Sequence, residues 1–321
     1  MHRLHQITQE IMRNKRVFIT GGAGYLGSHI VDKYHKSNAI TVYSRDEAKH
    51  YYLSKKYPNV NFIIGDVRNR DHLVRSCANH DIGIFAASLK QIDTCSKNIE
   101  ESVQTIIHGS INSKQAAIDN NFESACFVST DKSRSATTVY GAMKYVAGEA
   151  FILNNENVQT KCSTALYGNV MNSTGSLIPL IRNAIQNDIC LTLYSEEMTR
   201  FMITVDEAID IVDTSLTLKD VTVVPNLKSF LVKDVFDIYK EEFGLKYELG
   251  TPRINEKIHE IMASEEEIPR MMYLKEKDCY IMDSHAIYSE VSFPSSEYSS
   301  KDTAINKESL YTYLKEKNFY L

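Results

Sequence analysis

A chain of 321 residues carrying a formal charge of -5 can bury one large core or two linked ones, and that charge gives no general reason to expect nucleic acid or an anionic membrane as a partner. Its six cysteines, Cys77, Cys95, Cys126, Cys162, Cys190 and Cys279, form no C-x-x-C pair, which fits reduced thiols in a cytoplasmic protein and offers no metal site. No apolar run approaches about 18 residues, and the segment from Met1 to Glu10 lacks the apolar centre of a signal peptide, so no membrane segment is expected.

After a polar extension over residues 1–14, Arg16-Val-Phe-Ile-Thr20 reads as a first strand, and Gly27 to Tyr34 as the helix after it. Ala39–Tyr43 and Val60–Ile64 are expected as the second and third strands, Asp81–Ala86 as the fourth, Ala125–Ser129 as the fifth and Gln159–Leu166 as the sixth. Helical stretches fall between most of them. Strands alternating with helices predict a doubly wound, mostly parallel α/β sheet of the Rossmann type over residues 15–170. Past Val170 the alternation loosens. Asp206–Ser215 and Val232–Tyr239 have the pattern of amphipathic helices, and the last part of the chain is charged and rich in tyrosine. We therefore expect a smaller, discontinuous C-terminal α/β domain that binds substrate, made from 171–200 and 231–321. The part from about 201 to 230 is expected to return to the large sheet.

Between the first strand and its helix lies Thr20-Gly21-Gly22-Ala23-Gly24-Tyr25-Leu26-Gly27. Gly21 permits a tight turn, Gly24 lets the backbone approach a pyrophosphate at the helix N-terminus, and Gly27 allows helix and sheet to pack closely. The whole stretch, including Gly22, Ala23, Tyr25 and Leu26, is read as a dinucleotide turn. The end of the second strand selects the cofactor, because a ribose 2′-hydroxyl calls for a carboxylate and a 2′-phosphate for a guanidinium. In Tyr43-Ser44-Arg45-Asp46-Glu47, with Lys49 beyond, Ser44, Arg45 and Lys49 suit the phosphate, which favours NADP over NAD. After the third strand, Asp66 and Val67 are expected beside the adenine. After the fourth, Ala86, Ala87 and Ser88 are expected to pass along the cofactor.

The end of the fifth strand carries Thr130-Asp131-Lys132, and Tyr140-Gly-Ala-Met-Lys144 follows. Tyr140 and Lys144 are four apart and share one helix face. An ammonium about 4 Å from a phenol at an effective dielectric near 20 contributes about 4 kcal/mol, enough to bring a tyrosine towards neutral pKa as a general base. Thr130, Asp131 and Lys132 add a hydroxyl, a carboxylate and an amine at the end of a parallel strand, where open α/β sheets bind ligands.

With these motifs goes a resemblance. Tyr43-Ser-Arg-Asp-Glu47, Ser129-Thr-Asp-Lys132 with Tyr140-Gly-Ala-Met-Lys144, Tyr167-Gly-Asn-Val170, Met198-Thr-Arg-Phe-Met-Ile-Thr204 and Arg253-Ile-Asn-Glu-Lys-Ile-His-Glu260 follow one another in an order that resembles the extended short-chain dehydrogenase/reductases. Within these, the chain is most similar to the soluble UDP-N-acetylglucosamine 4,6-dehydratases of polysaccharide biosynthesis that also invert carbon 5. The resemblance implies that Tyr140, assisted by Lys144, takes the sugar 4-hydroxyl proton, that Lys132 takes the carbon 5 proton, and that Asp131 protonates the departing 6-hydroxyl. It places Val170 by the cofactor, Lys90 near both the cofactor and a UDP-sugar, and Lys132, Asn169, Thr192, Arg200, Arg253 and Glu256 by the UDP-sugar. It also implies a homo-oligomer, as a hexamer. Retaining relatives carry Asp-Glu where this chain has Asp131-Lys132. Other readings are a nucleotide-sugar 4-epimerase, a UDP-glucose 4,6-dehydratase and an inactive NADP-binding scaffold.

The chain departs from the family pattern at Ser135, Ala136 and Thr138 before the tyrosine, at Ile106, at Leu166, and at Ile254 and Asn255. None of these replaces a proton-transfer group.

Overall fold

The computed structural model describes residues 11–252, 254–288, 293 and 295–320. Strand β1 (Arg16–Thr20) is buried through Val17, Phe18 and Ile19, and it pairs in parallel with β2 (Ala39–Ser44) on one side and β4 (Ile82–Phe85) on the other. β2 continues to β3 (Asn61–Ile64), while β4 continues to β5 (Ser124–Val128) and then β6 (Lys161–Ala165), all in parallel. The chain thus winds outwards in two directions from β1. The crevice at the C-terminal ends of β1 and β4 is the switch point where such sheets bind ligands.

Both faces of the sheet are covered, which is why the central strands are unbroken apolar runs rather than alternating ones. On one face helix α1 (Tyr25–Tyr34) brings Ile30 and Val31 to a core with Val17, Ile19, Val42 and Ile84. On the other face helix α2 (Val139–Ile152) brings Met143, Ala147 and Phe151 against Phe18, Phe85 and Phe127. Because α2 is buried by this apolar side, Tyr140 and Lys144 on the same helix are fixed at the ends of β5 and β6.

A four-stranded sheet forms the second layer of the molecule, with β7 (Asn169–Val170), β9 (Thr199–Ile203), β11 (Ser229–Leu231) and β17 (Ala304–Ile305) in the order β17-β11-β9-β7. Helices α3 (Leu177–Gln186), α5 (Val232–Phe243) and α6 (Lys307–Glu316) pack on it through Ile181, Phe236, Tyr239, Leu310 and Leu314. Two short pairs complete it, β8 (Leu191–Leu193) with β12 (Tyr247–Leu249), and β13 (Ile261–Ala263) with β16 (Tyr298–Ser299).

The chain's return to the large sheet is narrower than the sequence pattern indicates. β9 and β11 belong to the small sheet, so the returning segment is helix α4 (Val205–Thr217) with β10 (Val221–Pro225), which pairs in parallel with β6. Helix α4 starts at a capping box in which Thr204 accepts from the Glu207 amide and the Glu207 side chain accepts from that of Thr204. A later hairpin, β14 (Met271–Leu274) and β15 (Cys279–Asp283), adds two antiparallel strands to the edge at β10. Alternation of helices and strands gives no signal for such an edge, because a hairpin needs no crossover helix. Among the described residues no helix is long and apolar enough to cross a membrane.

Candidate active site

The ends of β1, β2, β4, β5 and β6 open into a cavity of about 1090 Å³ that reaches the small sheet. Gly21 has a φ of 70°, and a Cβ there would stand 2.9 Å from the Ala87 nitrogen, so this turn and the segment that follows β4 meet only without a side chain. A Cβ on Gly27 would lie 2.5 Å from the Gly22 Cα, which locks α1 onto the turn. Around Gly24 only the Gly21 carbonyl comes near, at 3.1 Å, and α1 begins there with no side-chain cap. Its first amides are open to an anionic ligand, so the turn fits a dinucleotide pyrophosphate. Gly21, Ala23, Gly24, Tyr25, Leu26 and Gly27 border the cavity. Gly22 does not border it: the space a side chain there would take is filled by Val42, 2.8 Å away.

At the far rim lie Ser44, Arg45, Lys49, Asp66 and Val67. The Ser44 hydroxyl meets His50 Nε2 at 2.6 Å, and Lys49 pairs with Asp46 at 2.9 Å. Arg45 sits 3.7 Å from Asp66 and 3.6 Å from Glu101, with half of its side chain exposed. Asp66 is engaged by Arg68, whose Nε donates to it at 2.9 Å. Ala86, Ala87, Ser88 and Lys90 run along the opposite wall, where Lys90 donates to the Thr174 carbonyl at 2.5 Å.

Asn169, Val170, Thr192, Arg200 and Glu256 face the cavity from the small sheet and its loops. Arg200 is nearly buried. It donates to Glu256 at 2.7 Å and to the Thr199 and Ile258 carbonyls at 2.7 and 3.2 Å. Its guanidinium is therefore already held by protein acceptors, and any anion reaching it would compete with Glu256. Arg253 lies outside the described residues.

At the centre, Lys132 Nζ donates to Asp131 at 3.1 Å and to Asn169 at 3.1 Å, and stands 3.2 Å from Glu260. Burial by itself would lower this amine, but Asp131 and Glu260 outweigh it and hold Lys132 above its ordinary value as an ammonium. Burial pushes Asp131 up against the pull of Lys132, so this carboxylate takes a proton more readily than an exposed one. Asp131 is 0% exposed and is not part of the cavity wall. It communicates with the cavity through Lys132 and through Thr130, whose hydroxyl donates to it at 2.9 Å. Glu260 is also buried, yet Lys132, Arg200 and Lys257 overcome burial and keep it ionised.

Tyr140 and Lys144 both border the cavity, but their electrostatics differ from the sequence expectation. Burial raises Tyr140, and the groups that pull it down are the Lys132 charge and a hydrogen bond to Thr130. Lys144 donates to the Val128 carbonyl at 2.8 Å and is pushed down by burial to about 7. The amine is thus half neutral near pH 7, because among the described residues no carboxylate accompanies it into the core. A bound anion restores its charge. Binding of dinucleotide at pH 8 is expected to take up a proton, up to about one per site, seen as a dependence of the calorimetric enthalpy on buffer ionisation heat. The uptake should vanish in Lys144→Met; an unchanged uptake there would assign it to another group.

Sequence reasoning did not single out two groups that the fold brings here. Glu260 ends the stretch that begins at Arg253, and its register with Lys132 depends on β13. Thr105 lies in a π-helical turn, Val103–His108, and its buried hydroxyl has no protein partner where it borders the cavity. Such turns are frequent at functional sites, but sequence patterns do not reveal them.

Known proteins resemble this chain in sequence and in fold. Residues 17–281 match the family described as polysaccharide biosynthesis protein. The chain is 30% identical to a Methanocaldococcus jannaschii protein described as an uncharacterized membrane protein, over 98% of this chain and 99% of that one. It is 30% identical to the UDP-N-acetylglucosamine 4,6-dehydratase (inverting) of Campylobacter jejuni strain 81-176, over 80% of each chain. Among solved structures it is similar to Pen from Bacillus thuringiensis, at a TM-score of 0.88 and 26% identity over 96% of this chain and 99% of that one. The dTDP-glucose 4,6-dehydratase DesIV from Streptomyces venezuelae, solved with NAD bound, shares the fold at a TM-score of 0.67 and 17% identity, over 76% of this chain and 86% of that one.

Proposed function

The chain belongs to the polysaccharide biosynthesis protein family, and from that premise we propose that it is an NADP-dependent UDP-N-acetylglucosamine 4,6-dehydratase that also acts at carbon 5. The observation that carries this reading is the Asp131–Lys132–Glu260 cluster beside Tyr140, with Lys132 3.1 Å from Asp131 and 3.2 Å from Glu260. An enzyme that only oxidises and reduces one carbon needs a base on a hydroxyl. Loss of water needs a second acid and a second base, and the cluster supplies both.

The turn at Gly21, Gly24 and Gly27 would hold the pyrophosphate of a nicotinamide dinucleotide, and Arg45 with Lys49 the 2′-phosphate. Bound there, the dinucleotide would supply hydride transfer, accepting hydride from carbon 4 and returning it to carbon 6 once water has left, so the reaction needs no external redox partner. Tyr140 takes the proton of the sugar 4-hydroxyl as that carbon becomes a ketone. The ketone acidifies the carbon 5 proton. Lys132 must be neutral to accept it, and it reaches that state by passing a proton across the 3.1 Å contact to the Asp131 carboxylate, whose hold on a proton burial strengthens. Amine and acid are then the base and the proton source for one elimination. Because Asp131 is sealed from the cavity, its proton reaches the 6-hydroxyl along the Thr130 hydroxyl, and water leaves. Arg200 and Glu256 orient the nucleotide end.

Purified protein with NADP, incubated with UDP-N-acetylglucosamine in deuterium oxide, is expected to give a product lighter by one water and deuterated at carbon 5. A 4-epimerase would give an isomer of unchanged mass, and a scaffold no product. Arg45→Ala should weaken NADP by about tenfold while leaving NAD nearly unchanged, since a hydrogen bond to a charged group contributes about 1.5 kcal/mol or more. Equal loss for both cofactors in a fluorescence titration would remove the 2′-phosphate assignment.

A further inference from the structure

Lys132 borders two cavities. Besides the main one there is a crevice of about 50 Å³, whose wall includes Asp93, Thr137, Asn255, Lys257, Glu260 and Lys132 itself. That volume holds a water molecule or two. Thr137, Ile254 and Asn255 are exposed and form its outer end, whereas Glu260, 2% exposed, lies at its inner end. One oxygen of Glu260 is 3.2 Å from the Lys132 amine. The other, Oε2, is buried without any hydrogen-bond partner and stands 3.9 Å from Lys257. A buried acceptor left unpaired is costly, and a crevice water is the partner that the geometry allows. Asp131, the other carboxylate on Lys132, has no share in this crevice.

We propose that Glu260 and this crevice form a solvent-side proton port for Lys132, through which the proton taken from substrate carbon 5 exchanges with bulk water before carbon 5 is reprotonated. The inference rests on the dehydratase reading. When the bond from carbon 5 to hydrogen breaks, the electron pair stays on the substrate as the enolate of the 4-ketone and the proton bonds to Lys132 Nζ. The ammonium passes a proton to Glu260, and after the carboxyl group turns, the proton leaves to water in the crevice. Reprotonation of carbon 5 draws a proton inwards by the reverse steps. No oxidant or reductant enters this exchange.

The test is a single turnover in ordinary water by the NADP-loaded enzyme, with UDP-N-acetylglucosamine deuterated at carbon 5 and the product read by mass spectrometry and NMR. The native enzyme is expected to lose the label almost entirely, and Glu260→Gln to retain it in up to roughly a third of the product, because an isolated ammonium carries one deuteron among three equivalent hydrogens. Should Glu260→Gln fail to fold, Thr137→Leu narrows the outer end of the crevice without touching Lys132, and the same retention is expected. Retention by the native enzyme, or complete loss from a folded variant, overturns the port. Absence of water loss in the native enzyme overturns the dehydratase reading itself, a result distinct from water loss with the label kept.

Discussion

Lys132→Met is expected to lower water loss by about 10³-fold, the size of effect that a positioned acid or base contributes, while NADP still binds. The native amine has two carboxylate neighbours, and its removal leaves Asp131 and Glu260 buried without the cation between them. Breaking a buried ion pair from one side costs about 3–5 kcal/mol, so the variant should also be less stable. Protonation of Asp131 relieves part of that cost. A carboxyl whose folded pKa is raised contributes stability at low pH that is lost as pH rises through its folded value. The melting temperature of the variant should therefore fall further below the native value at pH 8 than at pH 5. Activity is best compared at the lower pH, where the fold is retained. If a well-folded variant still gave product lighter by one water and deuterated at carbon 5, Lys132 would not be the base.

Tyr140→Phe should act one step earlier. Tyr140 is buried and its ring packs in the core beside Phe127 and Met143, so phenylalanine keeps the shape and removes only the hydroxyl. We expect little change in melting temperature and a loss of about 10³-fold or more in formation of the keto sugar. No transient absorbance of reduced cofactor should accumulate. Burial raises the native phenol, so turnover should increase with pH as the phenolate becomes available. The Lys132 charge pulls the same phenol down. Hence the first oxidation, followed alone by that transient, should move to higher pH in Lys132→Met. Normal dehydration by Tyr140→Phe would refute the assignment of the first base.

The sequence disclosed the large sheet because each strand is buried on both faces and must be apolar throughout, and because the glycine turn between β1 and α1 has steric requirements that few other residues meet. Gly27, where a Cβ would stand 2.5 Å from Gly22, illustrates this constraint. Gly22 shows its limit: the spacing marks a turn but does not say which glycine borders the cavity and which packs against Val42. The small sheet was legible only as a region. Strands β9 and β11 are short, pair across distant parts of the chain and leave little periodic signal. The β14–β15 hairpin at the sheet edge likewise depends on pairing, not on local pattern.

For the site, the sequence by itself determined which groups exist: the cofactor turn, the Tyr140 and Lys144 pair, and a lysine at 132 next to a carboxylate. These are consequences of residue identity and local spacing along one strand end and one helix. Tertiary structure decided their charge. Lys144, expected to be the cation that tunes Tyr140, enters the core beside the Val128 carbonyl with no carboxylate and is pushed down to about 7. Lys132 instead receives Glu260 from a distant loop and stays an ammonium. The physical reason is that a pKa depends on desolvation and on charges within a few ångströms, and both are set by segments far apart in the chain.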